Sequence, residues 1–182
     1  MKNIIYSVFA ALAFCAVTAL PAAAQEDSAA EDKPALPALT QALSEKPLVN
    51  SAKLNKKASV FFVYKSRSTC GICVAELPMI NKAYKEMKGK GAEIVMYNID
   101  ADDATAKSWA SKGKIKFPMI GPKDHRGLPF PYTRGGLLPY LVVLDAEGNK
   151  LDEAGGDKVA AMMANWKTYV TKMKKQKKSK KS

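Results

Sequence analysis

The sequence predicts one α/β domain, and three features predict it. Ala58-Ser59-Val60-Phe61-Phe62-Val63-Tyr64 is a β-branched and aromatic run of the kind that forms a buried strand. Val74, Leu77, Ile80, Tyr84 and Met87 then recur at helical spacing up to Gly89. A second strand with an apolar centre follows at 92–100. Strand, helix and strand in alternation are the signature of the α/β class.

The elements follow in order. Met1 to Ala24 carries one positive charge at Lys2, an apolar run from Ile4 to Leu20, then Pro21 and Ala22-Ala23-Ala24. A charged start, apolar core and small-residue end describe a secretory signal peptide cut before Gln25. The run falls short of the roughly 20 residues a membrane span prefers; retention as an anchor is the alternative. Cys15 lies in the signal core and leaves with it. Residues 25–47, rich in Ala, Pro and acids, read as a flexible linker with a short lead-in around Leu36, Leu39 and Leu43. The domain itself is placed at 48–170, about 125 residues, enough for one core.

Within it, Asp102-Asp103 opens a helix that runs through Trp109 and ends at Gly113. Residues 114–120 read as a short strand in which Pro118 argues for an edge or a strand end. Residues 139–145 and 149–153 form a hairpin. A last amphipathic helix runs from about Asp157 through Met162, Trp166 and Val170. No internal repeat is visible.

Two cysteines remain after signal removal, Cys70 and Cys73, at the junction of the first strand and the following helix. Unpaired N–H groups and the dipole at a helix N-terminus favour thiolate over thiol. A Cys-x-x-Cys spacing in the first turn brings both sulfurs within disulfide range. Cys70 is then placed to attack a disulfide and Cys73 to resolve the mixed species, with no metal or organic cofactor. The other uses of such a pair fit poorly. A structural zinc site wants four ligands, and beyond the pair the chain has only His125. A c-type haem site needs His after the second cysteine, where Val74 stands. A structural disulfide closing so small a loop adds little stability.

The stretch Cys70-Gly71-Ile72-Cys73-Val74-Ala75-Glu76-Leu77-Pro78 has the pattern Cys-x-x-Cys-x-x-Glu-x-Pro, and Gly136 to Asn149 holds Pro139 ahead of a strand and an Asp-x-x-Gly turn. Together they resemble the thioredoxin superfamily, and its periplasmic TlpA-like branch in particular, over roughly residues 48–170. The resemblance implies a thioredoxin-like fold, a central mixed β-sheet flanked by helices. It also implies a periplasmic or secreted thiol–disulfide oxidoreductase whose redox group is the Cys70–Cys73 disulfide. Glu76 matches a glutamate that handles protons in TlpA-like reductases; a buried carboxylate with a raised pKa can take the resolving thiol's proton. A surface glutamate near a helix start is the plainer alternative. Pro139 matches a cis-proline, with Leu138 offering its backbone to a substrate strand; the alternative is an ordinary proline opening a strand. Two departures, Tyr64 in place of a buried aspartate and Thr69 in place of tryptophan, argue against the partners of cytosolic thioredoxins.

Gly71-Ile72 carries no histidine or other polar group to stabilise the Cys70 thiolate. That favours a potential nearer the roughly −270 mV of thioredoxin than the roughly −120 mV of the strong oxidant, and so the reductase direction. Oxidase or isomerase action on the same fold, or a non-catalytic binding module, are the alternatives. The implied partners are exported client proteins with disulfides and a membrane-embedded thiol donor. Phe130 and Tyr132, in the proline-rich loop after Gly121, either contact a client or pack on the domain, and His125 reads as a solvated side chain.

The net charge is +12, from 29 basic and 17 acidic residues. Residues 171–182 hold seven lysines and no acid, so over half the excess sits in a tail expected to fray into a disordered arm. It attaches to an anionic envelope surface or only solubilises the chain. With no aromatic among its lysines and no nucleic-acid motif, a specific nucleic-acid partner is not expected.

Overall fold

The computed structural model describes residues 48–123 and 136–179. The signal, Cys15, the linker, His125, Phe130 and Tyr132 lie outside the described residues.

Among the described residues five strands and four helices follow one another: β1 (Val60–Ser66), α1 (Gly71–Met87), β2 (Ala92–Asn98), α2 (Asp103–Lys112), β3 (Met119–Ile120), β4 (Tyr140–Asp145), β5 (Lys150–Gly155), a 3₁₀ turn (Gly156–Lys158), α3 (Val159–Ala164) and α4 (Trp166–Ser179). The sheet order is β3-β2-β1-β4-β5. β1 runs parallel to β2 with Phe62 beside Ile94, and antiparallel to β4 with Phe62 beside Val143. β2 and β3 are parallel, and β4 and β5 form the antiparallel hairpin, with an irregularity at Val143/Leu144. The sheet is therefore mixed, with β1 at its centre.

Period-two alternation divides the strands between two clusters. Val60, Phe62, Tyr64, Ile94, Met96, Leu141 and Val143 meet the buried faces of all four helices. Phe61, Val63, Val95, Tyr97, Val142 and Leu144 form the opposite cluster with Ala58 and Ile120; Leu48, Leu54 and Ala146 pack on it. Among the described residues no helix contributes to this second cluster. β1 buries side chains on both faces, which explains why its sequence is a continuous apolar run and not an alternating one.

The last two helical segments and the third strand depart from expectation. The run after β5 is broken at Asn165, whose N–H turns back to the carbonyls of Ala161 and Met162. The tail does not fray at residue 171: α4 continues to Ser179. Trp166, Val170 and Met173 bury one stripe of it, and the Tyr169 ring meets Phe62 edge-on at 5.7 Å. Packing of that stripe outweighs repulsion among exposed lysines. The third strand shrinks to two residues because Lys114 takes a left-handed backbone (φ 51°) and Pro118 has no N–H to pair. β3 is an edge strand, and Leu48 bridges to its Ile120 from outside. At the other edge, β5 carries Lys150, Asp152 and Glu153.

Candidate active site

The cysteine loop leaves β1 at Ser66 and enters α1 at Gly71. Cys70 is the N-cap of α1, and its sulfur accepts the Cys73 N–H at 3.3 Å. The Cys70 and Cys73 Cα atoms lie 5.2 Å apart and their sulfurs are joined as a disulfide. The two differ in access: Cys70 is half-buried, whereas Cys73 is fully buried among Tyr64, Leu77 and the rest of the helix-side core. One sulfur thus accepts an N–H of the helix start and is partly exposed, and the other is sheltered within the same turn. Exposed Ile72 and Val74 flank them.

The loop ahead of Cys70 is fixed from β2. One Asp100 oxygen accepts both the Ser68 N–H (2.9 Å) and the Ser68 hydroxyl (2.8 Å). The other oxygen accepts the Asn98 side-chain amide (2.8 Å). The Ile99 N–H adds a bond to the Ser66 carbonyl (3.0 Å). Asp100 and Asn98 are buried, so the Asn98 arm of this clasp is shielded from competing water, whereas Ser68 is half-buried. Sequence reading missed both; the signal was Asn98 and Asp100 at the exit of an otherwise apolar strand.

Glu76 lies in the second turn of α1, beyond the first turn where the dipole favours acids. It is half-buried, and burial, chiefly, raises its carboxyl above the ordinary carboxylate range; Asp157 adds to the rise and the Ala160 N–H opposes it. Its Oε2 is buried with no hydrogen-bond partner among the described residues. Tyr64, fully buried in β1, lies within electrostatic reach of Glu76; its hydroxyl accepts from Ser66 Oγ at 3.1 Å, and burial pushes its pKa upward. Tyr64 thus fills the interior beside Cys73 on the helix side of the sheet.

Leu138 and Pro139 precede β4. Tyr140, the next residue, pairs with Lys65 near the end of β1 that leads to the cysteines. Leu138 and Cys70 both pack against the helix-side core. The Leu138–Pro139 peptide bond is cis, and the Pro139 carbonyl accepts the Gly156 N–H at 2.9 Å. Leu138 and Pro139 therefore lie beside the end of β1 that leads to Cys70 and Cys73, while Glu76 faces Tyr64 and Ala160 from the second turn of α1. Among the described residues, no three metal-ligating side chains converge anywhere.

The AhpC/TSA family model matches residues 34–170. The thiol-disulfide oxidoreductase ResA of Bacillus anthracis is 26% identical over 103 residues, covering 56% of this chain and 58% of that protein. The chain thus matches less than two thirds of the length of such curated relatives. Among solved structures, StoA from Bacillus subtilis aligns with a TM-score of 0.52 at 18% identity, over 61% of this chain and 84% of that one. The thioredoxin domain of a thiol-disulfide oxidoreductase from Bacteroides vulgatus aligns with a TM-score of 0.53 at 21% identity, over 64% and 82%. The fold is thioredoxin-like.

Proposed function

The chain belongs to the AhpC/TSA family, and we propose that it is an exported thiol–disulfide oxidoreductase that reduces disulfides in proteins outside the cytoplasm. The observation that carries the reading is the asymmetry of the two sulfurs within one helical turn: a half-buried Cys70 at the helix cap and a sheltered Cys73 behind it.

In the reducing direction the Cys70 thiolate attacks one sulfur of a client disulfide, forming a Cys70–client bond and releasing the other client sulfur as thiolate. Cys73 then loses its proton and attacks Cys70 Sγ. The client leaves as a dithiol, having gained two electrons, and the Cys70–Cys73 disulfide remains. Glu76 is the proposed acceptor of the Cys73 proton. Its raised pKa and unpartnered oxygen support that role, because a carboxylate short of donors gains most from a proton. Leu138 and Pro139 are the proposed docking edge for client backbone, a reading supported by their position beside the end of β1. The oxidised pair must be reset by a thiol donor, and export makes a membrane-embedded donor the fitting source. The reducing direction rests on Gly71-Ile72, which offers the Cys70 thiolate no side-chain donor.

The test is the redox equilibrium of the purified protein against glutathione, read by thiol alkylation. A potential near roughly −270 mV supports the reductase; one between roughly −180 and −120 mV assigns the isomerase or oxidase direction. A pair that does not cycle removes the enzyme reading and leaves a binding module.

A further inference from the structure

At the opposite end of α1 from the cysteines, a groove of about 630 Å³ opens between the turn after α1 and the side of α4. Its charged lining is uniform: Lys90 from the turn, Lys167 and Lys174 from the helix, and no carboxylate. Thr171 adds a hydroxyl. Lys167, Thr171 and Lys174 follow one another at i, i+4 and i+7, so they form one stripe along α4, with Lys178 next in line. The turn brings Lys90 to that stripe because Gly89 and Gly91 both take left-handed backbone (φ 75° and 93°). A Cβ on Gly91 would already sit 3.4 Å from Val170 Cγ1. Trp166 lines the groove, 3% exposed, and its indole N–H has no acceptor among the described residues.

We infer that this groove and stripe seat the phosphate groups of an anionic phospholipid surface. Three ammonium groups and a hydroxyl around one concavity suit phosphate oxygens. A single free phosphate would leave the stripe beyond the groove unused, whereas a bilayer presents phosphates continuously along it. The orientation is useful as well. α1 has 17 residues, which places its two ends roughly 25 Å apart. A chain seated by the groove holds Cys70 away from the lipid. The binding is independent of the thiol chemistry, so either proposal can fail alone.

The test is sedimentation of the full chain with phosphatidylcholine vesicles, with and without phosphatidylglycerol, at low and high salt. Pure phosphatidylcholine measures whatever the apolar N-terminal run contributes. Two charge-matched variants are compared, K90Q/K167Q/K174Q in the groove and K107Q/K112Q/K116Q on and after α2. Each surface lysine contributes roughly fivefold to partition, so the groove triple should bind phosphatidylglycerol vesicles about a hundredfold more weakly. The α2 triple should lose only a few-fold. Lys174→Gln alone should lose roughly fivefold, which serves if the triple folds poorly by circular dichroism. Equal losses in the two triples would reduce the effect to net charge and overturn the inference. Wild type that ignores phosphatidylglycerol overturns it too. Release from vesicles by submillimolar inorganic phosphate would reassign the groove to a free phosphate ligand.

Discussion

Replacing Asp100 by alanine probes how the cysteine loop is held. The carboxylate accepts from the Ser68 N–H, the Ser68 hydroxyl and the Asn98 amide, all at 2.8–2.9 Å. Asn98 is fully buried, so its amide has no water to turn to, and a buried donor left unanswered costs about 1–3 kcal/mol. Ser68 is only half-buried; water can replace its lost bonds in part, leaving about 1 kcal/mol there. The expected destabilisation is about 3 kcal/mol, which lowers Tm by roughly 9–15 °C in a domain of this size. Thermal and urea unfolding of the oxidised protein measure it. Iodoacetamide alkylation of the reduced protein across pH reports whether Cys70 keeps its cap geometry once Ser68 is released. Asp100→Asn, which retains an acceptor oxygen, should fall between alanine and wild type. A D100A protein within about 0.5 kcal/mol of wild type, the range of an ordinary surface change, with an unaltered alkylation profile, would refute the clasp.

Glu76→Gln should stabilise the fold at neutral pH while slowing release of the mixed disulfide. The raised pKa means the folded state holds this proton more tightly than the unfolded state, so stability falls as pH climbs from the ordinary carboxylate range through the folded value. Wild type and variant should converge near about pH 4 and separate by about 1 kcal/mol at neutrality, limited by water at the half-exposed side chain; urea titrations over pH check it. Gly113→Ala should cost about 1–3 kcal/mol, because the new Cβ would meet Leu77 Cδ2 at 2.5 Å and the Trp109 carbonyl at 3.0 Å; a neutral result in urea would show that Leu77 gives way. Met173→Ala should cost about 2–3 kcal/mol and remove helical circular dichroism from the end of α4, since Met173 is its last buried anchor.

What sequence alone could show tracks how local each cause is. β1 and α1 were legible because Val60 to Tyr64 are buried on both faces and Leu77, Ile80, Tyr84 and Met87 fall on one, although Val74, read as part of that stripe, is exposed and Cys73 is buried in its place. α2 was legible from its cap, where Asp102 accepts the Thr105 N–H at 2.7 Å, and from Gly113 at its end. The end of α4 was not, because lysine composition masked a single buried methionine two turns beyond Trp166. Lys114 gave no sign either, since its left-handed backbone is set by the turn after α2. At the site, the cysteine pair declares itself by spacing. The partners of Asp100 do not, because Ser68 and Asp100 lie 32 residues apart and meet only once β1 and β2 pair.

The two borders of the sheet have a bearing on solubility. An open row of N–H and C=O groups invites another chain to add a strand, and long apolar borders promote aggregation. Here one border is cut to two residues and met by Leu48. The other sets Lys150, Asp152 and Glu153 along six residues, with Lys150 and Glu153 paired at 3.4 Å. A neighbouring copy that tried to extend the sheet at this border would have to strip water from those charges. The short β3 and the charged β5 thus both oppose the addition of a further strand to the sheet that β1, β2 and β4 build.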